Sequence, residues 1–372
     1  MSLVAPAIAG TEPGTRGGPP IAYVNARLID PASGLDTLGG AVIAEGVIAD
    51  LGAHLARSGA LAGAGAHGVE TFDCQGACLV PGLVDMRVQL REPGEEHKET
   101  FESANAAALA GGVTTMVALP NTKPVIDNPS MVESVARRAR EAGRARIHTY
   151  AAVTRGLAGR EMTEFGLLAD AGALGFTDAT HAVADAQVMR RALSYGRMFG
   201  KPLVQHPEEP ALASGGAMTE GEIATRLGLP GIPAVAEAMM IERDLRLVEI
   251  TGGRYHAAHL STAAAIDAVR RAKARGLNVT ADTAPQYFAL NETAIGDYRT
   301  FAKLSPPLRP EADRRAVIEG LKDGTIDAIA SDHAPHDQDS KRLPFVQAAF
   351  GMIGDRKSTR LNSSHGYISY AV

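Results

Sequence analysis

From Pro81 onward the chain repeats one rhythm: a short apolar run, a loop, then a stretch with apolar residues three and four positions apart. Eight such runs stand out: LVDMRVQ (83–89), VTTMVAL (113–119), ARIHTYA (145–151), ALGFT (173–177), PLVQH (202–206), RYHAAHL (254–260), LNVTAD (277–282) and IDAIAS (326–331). Helix-patterned segments such as PSMVESVARRAREAG and TAAAIDAVRRAKARG lie between them, several ending in glycine. Eight strands alternating with helices predict a TIM-type (β/α)8 barrel of the α/β class. An open doubly wound sheet is the structural rival, but no GxGxxG or GxxxxGK[ST] follows a strand.

Ahead of the barrel, residues 21–80 read as short β segments, IAYVNARLID, AVIAEGVIADLG and TFDCQGACLV, separated by turns that contain glycine. They predict the N-terminal part of a small flanking β-domain, with the barrel running over 81–354. Residues 1–20, rich in Ala, Gly, Pro and Thr with a single Arg, match neither a cationic signal peptide nor an Arg-rich transit peptide and read as a flexible tail. A net charge of -5 without a basic stripe argues against nucleic acid. No apolar run of about 18 residues suggests a membrane span. Cys74 and Cys78 have no second pair to complete a zinc knuckle, and they read as free thiols of a reducing cytoplasm.

In such a barrel, chemistry sits at the C-terminal ends of the strands. Those ends carry Arg87 and Gln89, Asn121, Asp178, His206, His259 and Asp332. The first strand, within LVDMRVQLREPG, places Asp85, Arg87 and Gln89 on one face and Val84, Met86, Val88 and Leu90 on the other. The segment ASDHAPHDQ (330–338) adds His333 and His336 beyond Asp332. Histidines converging with a carboxylate suit a divalent metal such as zinc, with the acid free to move a proton from metal-bound water.

Longer motifs carry a family resemblance from Ile21 to Gly354. PGLVDMRVQLREPGEEHKET, ALPNTKPVIDNP, GFTDATHAV, YHAAHLST, SPPLRPEADRRA and IDAIASDHAPH resemble the dihydroorotases of the amidohydrolase superfamily. The type is the longer bacterial one, and the chain is most like its non-catalytic members that partner aspartate transcarbamoylase. The resemblance implies reversible closure of N-carbamoyl-aspartate to dihydroorotate over two zinc ions. Carried over residue by residue, it makes His206 and His259 ligands of the second metal. Asp332 becomes the catalytic acid that also touches the first metal, and Arg91, Asn121 and His336 become substrate-binding residues.

Three ligand positions depart from the pattern. Arg87 and Gln89 stand where the family has histidines, Ala179 stands where it has a bridging aspartate, and Ser305 replaces an asparagine on the substrate side. A guanidinium has no lone pair to offer a metal. The resemblance therefore implies a metal-depleted, non-catalytic homologue that scaffolds the aspartate transcarbamoylase catalytic chain in cytoplasmic pyrimidine synthesis. In that protein Arg87 supplies charge that a missing metal would have given Asp332. The alternative is an active cyclic amide hydrolase using one zinc on His206, His259 and Asp332. After Gly354 the segment 355–372 shows neither helical nor family pattern, so a non-native-looking tail on a C-terminally truncated barrel is expected.

Overall fold

The computed structural model describes residues 19–56 and 69–354. Most of the expected tail at 1–20 and all of that at 355–372 lie outside them. The described chain falls into two compact units that divide between Pro81 and Gly82.

The first unit is a five-stranded sheet. β1 (Ile21–Asp30) pairs antiparallel with β2 (Leu35–Ala44), which pairs antiparallel with β3 (Val47–Gly52). β4 (Glu70–Asp73) and β5 (Cys78–Leu79) lie parallel to β1. Ala22, Val24, Ala26 and Leu28 alternate inward along β1 and, with Ala41 and Leu55, form the buried face. Gly40 is forced to be glycine, since a Cβ there would sit 2.4 Å from the Tyr23 carbonyl oxygen.

The second unit is the barrel. β6 (Leu83–Val88), β7 (Val113–Ala118) and β8 (Arg146–Thr149) pair in parallel. β9 (Leu203–Gln205) follows, and after a minor parallel pair, β10 (Met218–Thr219) with β11 (Gly231–Ile232), come β12 (Tyr255–Ala257), β13 (Val279–Thr283) and β14 (Ala328–Ile329). The ring closes where Val88 bridges His333, and the Gln89 N–H donates to the His333 carbonyl at 2.9 Å.

The strand expected at 173–177 is reduced to Phe176, which bridges Ala151 on one side and Leu203 on the other. Its neighbour begins with Pro202, which has no N–H to give, so the ladder starts only at Leu203. The strand expected at 326–331 likewise shortens to the two residues of β14.

The intervening helices are α1 (Phe101–Ala110), α2 (Pro129–Ala142), α3 (Phe165–Asp170), α4 (Ala186–Met198), α5 (Pro210–Ala213), α6 (Glu222–Leu227), α7 (Val235–Thr251), α8 (Ala263–Ala274), α9 (Pro285–Ala289), α10 (Glu311–Lys322) and α11 (Gln338–Lys341). Their starts follow capping chemistry, with Thr100, Asn128, Asp185 and Thr262 each accepting a backbone N–H of the first turn. No helix among the described residues is long and apolar enough to cross a membrane.

Phe176 holds the thin point of the barrel through its side chain as well as its backbone. Its ring stacks on Phe165 with centroids 3.7 Å apart and planes 7° off parallel, and both residues are fully buried. Phe176→Ala is expected to cost roughly 3–5 kcal/mol. The measurement is the urea midpoint; an unchanged midpoint would show that the ring does not support the shortened strand.

Candidate functional site

The alternation expected of the first barrel strand brings Asp85 and Arg87 into the interior, at 3% and 2% exposure. One oxygen of Asp85 accepts the backbone N–H of Arg87 at 3.2 Å and that of Ser331 at 3.1 Å, joining the first and eighth strands. The Arg87 side chain extends the join. Nε donates to Oδ1 of Asp332 at 2.9 Å, and Nη2 donates to the Ala179 carbonyl at 3.1 Å. Nη1 is buried without a hydrogen-bond partner.

Next along the strand, Gln89 Oε1 accepts from Asn121 Nδ2 at 3.0 Å, which ties the ends of strands one and two. Arg91 donates through Nε to the Pro335 carbonyl at 3.1 Å, and its Nη2 lies 3.2 Å from Nε2 of His336. Burial first, and then the charge of Arg91, pull His336 down to about 4, so its ring is neutral at physiological pH. Four of these mouth residues, Arg91, Ala179, His259 and Asp332, have positive φ between 42 and 64°. Non-glycine residues hold that conformation only where the surroundings fix it.

On the opposite side the two expected histidines meet. Nδ1 of His206 is 2.9 Å from Nε2 of His259, with ring centroids 4.8 Å apart. Burial drives His259 well below its ordinary pKa, with Arg87 and His206 adding to the effect, so its imidazole is neutral. Behind the pair stand acids that strand-end reasoning missed. Glu208 Oε2 is 3.6 Å from Nε2 of His206 and accepts from Ser305 Oγ at 3.2 Å. Burial opposes ionisation of Glu208, but His206, Arg309 and Ser305 together hold its carboxyl below the usual value. Asp282 takes the backbone N–H of His259 at 2.7 Å and faces Nε2 of His256 at 2.7 Å. Asp282 was legible, since it ends LNVTAD as Asp332 follows IDAIAS. Glu208 follows His206 by two residues, and only the fold assigns it.

Two other residues singled out in the sequence, Asp178 at a strand end and His333 in the loop beyond Asp332, have hydrogen-bond partners elsewhere. Both carboxylate oxygens of Asp178 are taken by Thr154, through its N–H at 2.9 Å and its hydroxyl at 2.5 Å. His333, in the loop beyond Asp332, faces Glu99 through Nε2 at 3.0 Å and receives the Gly354 N–H on Nδ1 at 3.1 Å. It is a buried link between segments.

The donor set can be compared with the metal that the resemblance implies. A two-zinc centre does not fit. Arg87 and Ala179 offer no side-chain lone pair, and Oδ1 of Asp332 is bound to the guanidinium. The converging nitrogens of His206 and His259, with a carboxylate behind one of them, are half of the coordination of a single zinc. Among the described residues, no group of three or more His, Cys, Asp or Glu gathers around one point.

Comparison with known proteins points to one family. A family model described as Dihydro-orotase-like matches residues 76–265. A protein named dihydroorotase from Desulforapulum autotrophicum is 49% identical over 287 residues, covering 77% of this chain and 67% of the relative. Another of that name from Syntrophobacter fumaroxidans is 46% identical over 333 residues, covering 89% and 75%. The L-hydantoinase (dihydropyrimidinase) from Arthrobacter aurescens superposes with a TM-score of 0.79 at 22% identity, over 94% of this chain and 78% of that one. A D-hydantoinase gives 0.75 at 22% identity, over the same shares of the two chains. At that identity the solved structures speak for the fold alone: a TIM barrel with a flanking β-domain.

The Asp178 environment gives a test of local electrostatics. Burial pushes its carboxyl up to about 6 against the pull of the Thr154 hydrogen bonds. The folded protein then holds a proton that the unfolded chain has already released between about pH 4 and about 6. Stability should therefore fall as pH rises through that window and stay lowered above it. Asp178→Asn is expected to flatten the fall by roughly 3 kcal/mol. Asp244, also raised to about 6, keeps its own contribution. Urea unfolding at a series of pH values measures the slope, and an unchanged slope would contradict the assignment.

Proposed function

This chain belongs to the dihydroorotase family, and we propose that it is a member that assembles no binuclear metal centre and does not turn over dihydroorotate. The observation that carries this reading is the incomplete donor set. Two histidine nitrogens converge, while the carboxylate that would complete a first metal site is paired with the Arg87 guanidinium. Hydrolysis of an unactivated cyclic amide by this family's route needs a hydroxide generated at the metal, for which a fixed guanidinium is no substitute. The role that remains is that of a scaffold in pyrimidine synthesis. Its partner, by family resemblance, is the aspartate transcarbamoylase catalytic chain, and co-elution of the two purified chains is the test of that partnership.

A second reading is favoured by one specific contact. The His206–His259 nitrogens at 2.9 Å, with Glu208 behind His206, would suit one zinc and a slower one-metal hydrolase. Metal analysis joined to turnover separates the two. Well under one zinc per chain and no turnover of dihydroorotate or N-carbamoyl-aspartate in zinc-supplemented buffer is the expected result. About one zinc per chain, with turnover that disappears in His259→Ala, would establish the one-metal enzyme instead.

A further inference from the structure

Three ends of the barrel mouth meet at one side chain. Arg87 leaves the first strand, grips the backbone carbonyl of Ala179 beyond the shortened fourth strand, and pairs with Asp332 beyond the eighth. Its side chain is 3% exposed and that of Asp332 is 12% exposed, so water screens little of the pairing. Both anchor residues are held at positive φ, 59° at Ala179 and 51° at Asp332. Alanine in particular has no side-chain hydrogen bond with which to offset that conformation. The neighbouring ends are tied likewise, one to two by Gln89 with Asn121, and five to six by His206 with His259.

We propose that Arg87 is an internal structural cation: a positioning residue that neutralises Asp332 and ties strands one, four and eight, so that the mouth is held by protein atoms alone. The proposal rests on the metal-free reading above and deepens it by naming what takes over the tying and the charge. An ion in this position would lose its grip under chelation, whereas a guanidinium fixed to the chain keeps it. The charge argument also separates Arg87 from a residue that merely packs. Removing the arginine leaves a buried carboxylate without a counter-charge, and removing that carboxylate as well relieves the penalty.

Thermal melting of the full chain as purified, with and without EDTA, tests this in four proteins: wild type, Arg87→Met, Asp332→Asn and the double variant. The wild-type melting temperature is expected to be indifferent to EDTA. Arg87→Met should lower it by roughly 5–10 °C, and the double variant should recover most of that loss. If Arg87→Met fails to yield soluble protein, recovery of soluble protein in the double variant gives the same support. A double variant as damaged as Arg87→Met, or an Arg87→Met that melts like wild type, overturns the proposal. Wild-type melting that drops with EDTA would instead strike at the metal-free reading. The coupling between positions 87 and 332 is judged separately by the rescue.

Discussion

The ion pair between Arg87 and Asp332 is the constraint on which the rest of the barrel mouth depends. A buried pair of this kind gains little net stability from its own attraction, because both groups surrendered water to form it. Its force lies in the asymmetry: with either partner missing, the other is a charge in a poorly hydrated interior. The pair therefore fixes the first strand to the eighth, and through the Ala179 carbonyl it recruits the fourth. Asp85 reinforces the same seam from below by accepting backbone N–H groups from strands one and eight.

That arrangement also decides what chemistry the mouth can support. Arg87 helps to hold His259 neutral, which in isolation would make a good metal ligand, yet the same guanidinium occupies the carboxylate that ligation would need. The outer barrel is indifferent to this exchange. Its core is built from aromatic and aliphatic layers such as Phe165, Phe176, Met189 and Leu193, buried without reference to the mouth polar groups. A fold can persist while the residues of its mouth change, and this chain, 46–49% identical to proteins named dihydroorotase, keeps the architecture with different residue types at positions 87, 89 and 179.

Much of this was legible in the sequence because barrel strands and helices are local patterns. The period of the apolar runs placed β6, β7, β8 and β13, and three- and four-residue spacing placed the helices between them, whereas the capping residues Thr100, Asn128, Asp185 and Thr262 come from the structure. The reduction of strand four to a bridge at Phe176 was not legible, since it depends on which residues Phe176 meets across the ladder, its N–H donating to the Pro202 carbonyl. At the site, the types at positions 87, 89 and 179 already disfavoured a binuclear centre. The sequence had no means of showing that Asp178 bonds to Thr154, or that Glu208 stands behind His206. Those contacts join residues from different strand ends or depend on a loop's path, and pattern arguments end where the chain turns.

The most direct measurement is a crystal structure of the protein grown with excess zinc, with anomalous data collected at the zinc edge. The expected result is no ordered zinc in the barrel mouth and Arg87 Nε within hydrogen-bonding distance of Asp332. An anomalous peak between Nδ1 of His206 and Nε2 of His259, or Arg87 swung away to admit an ion beside Asp332, would contradict the account.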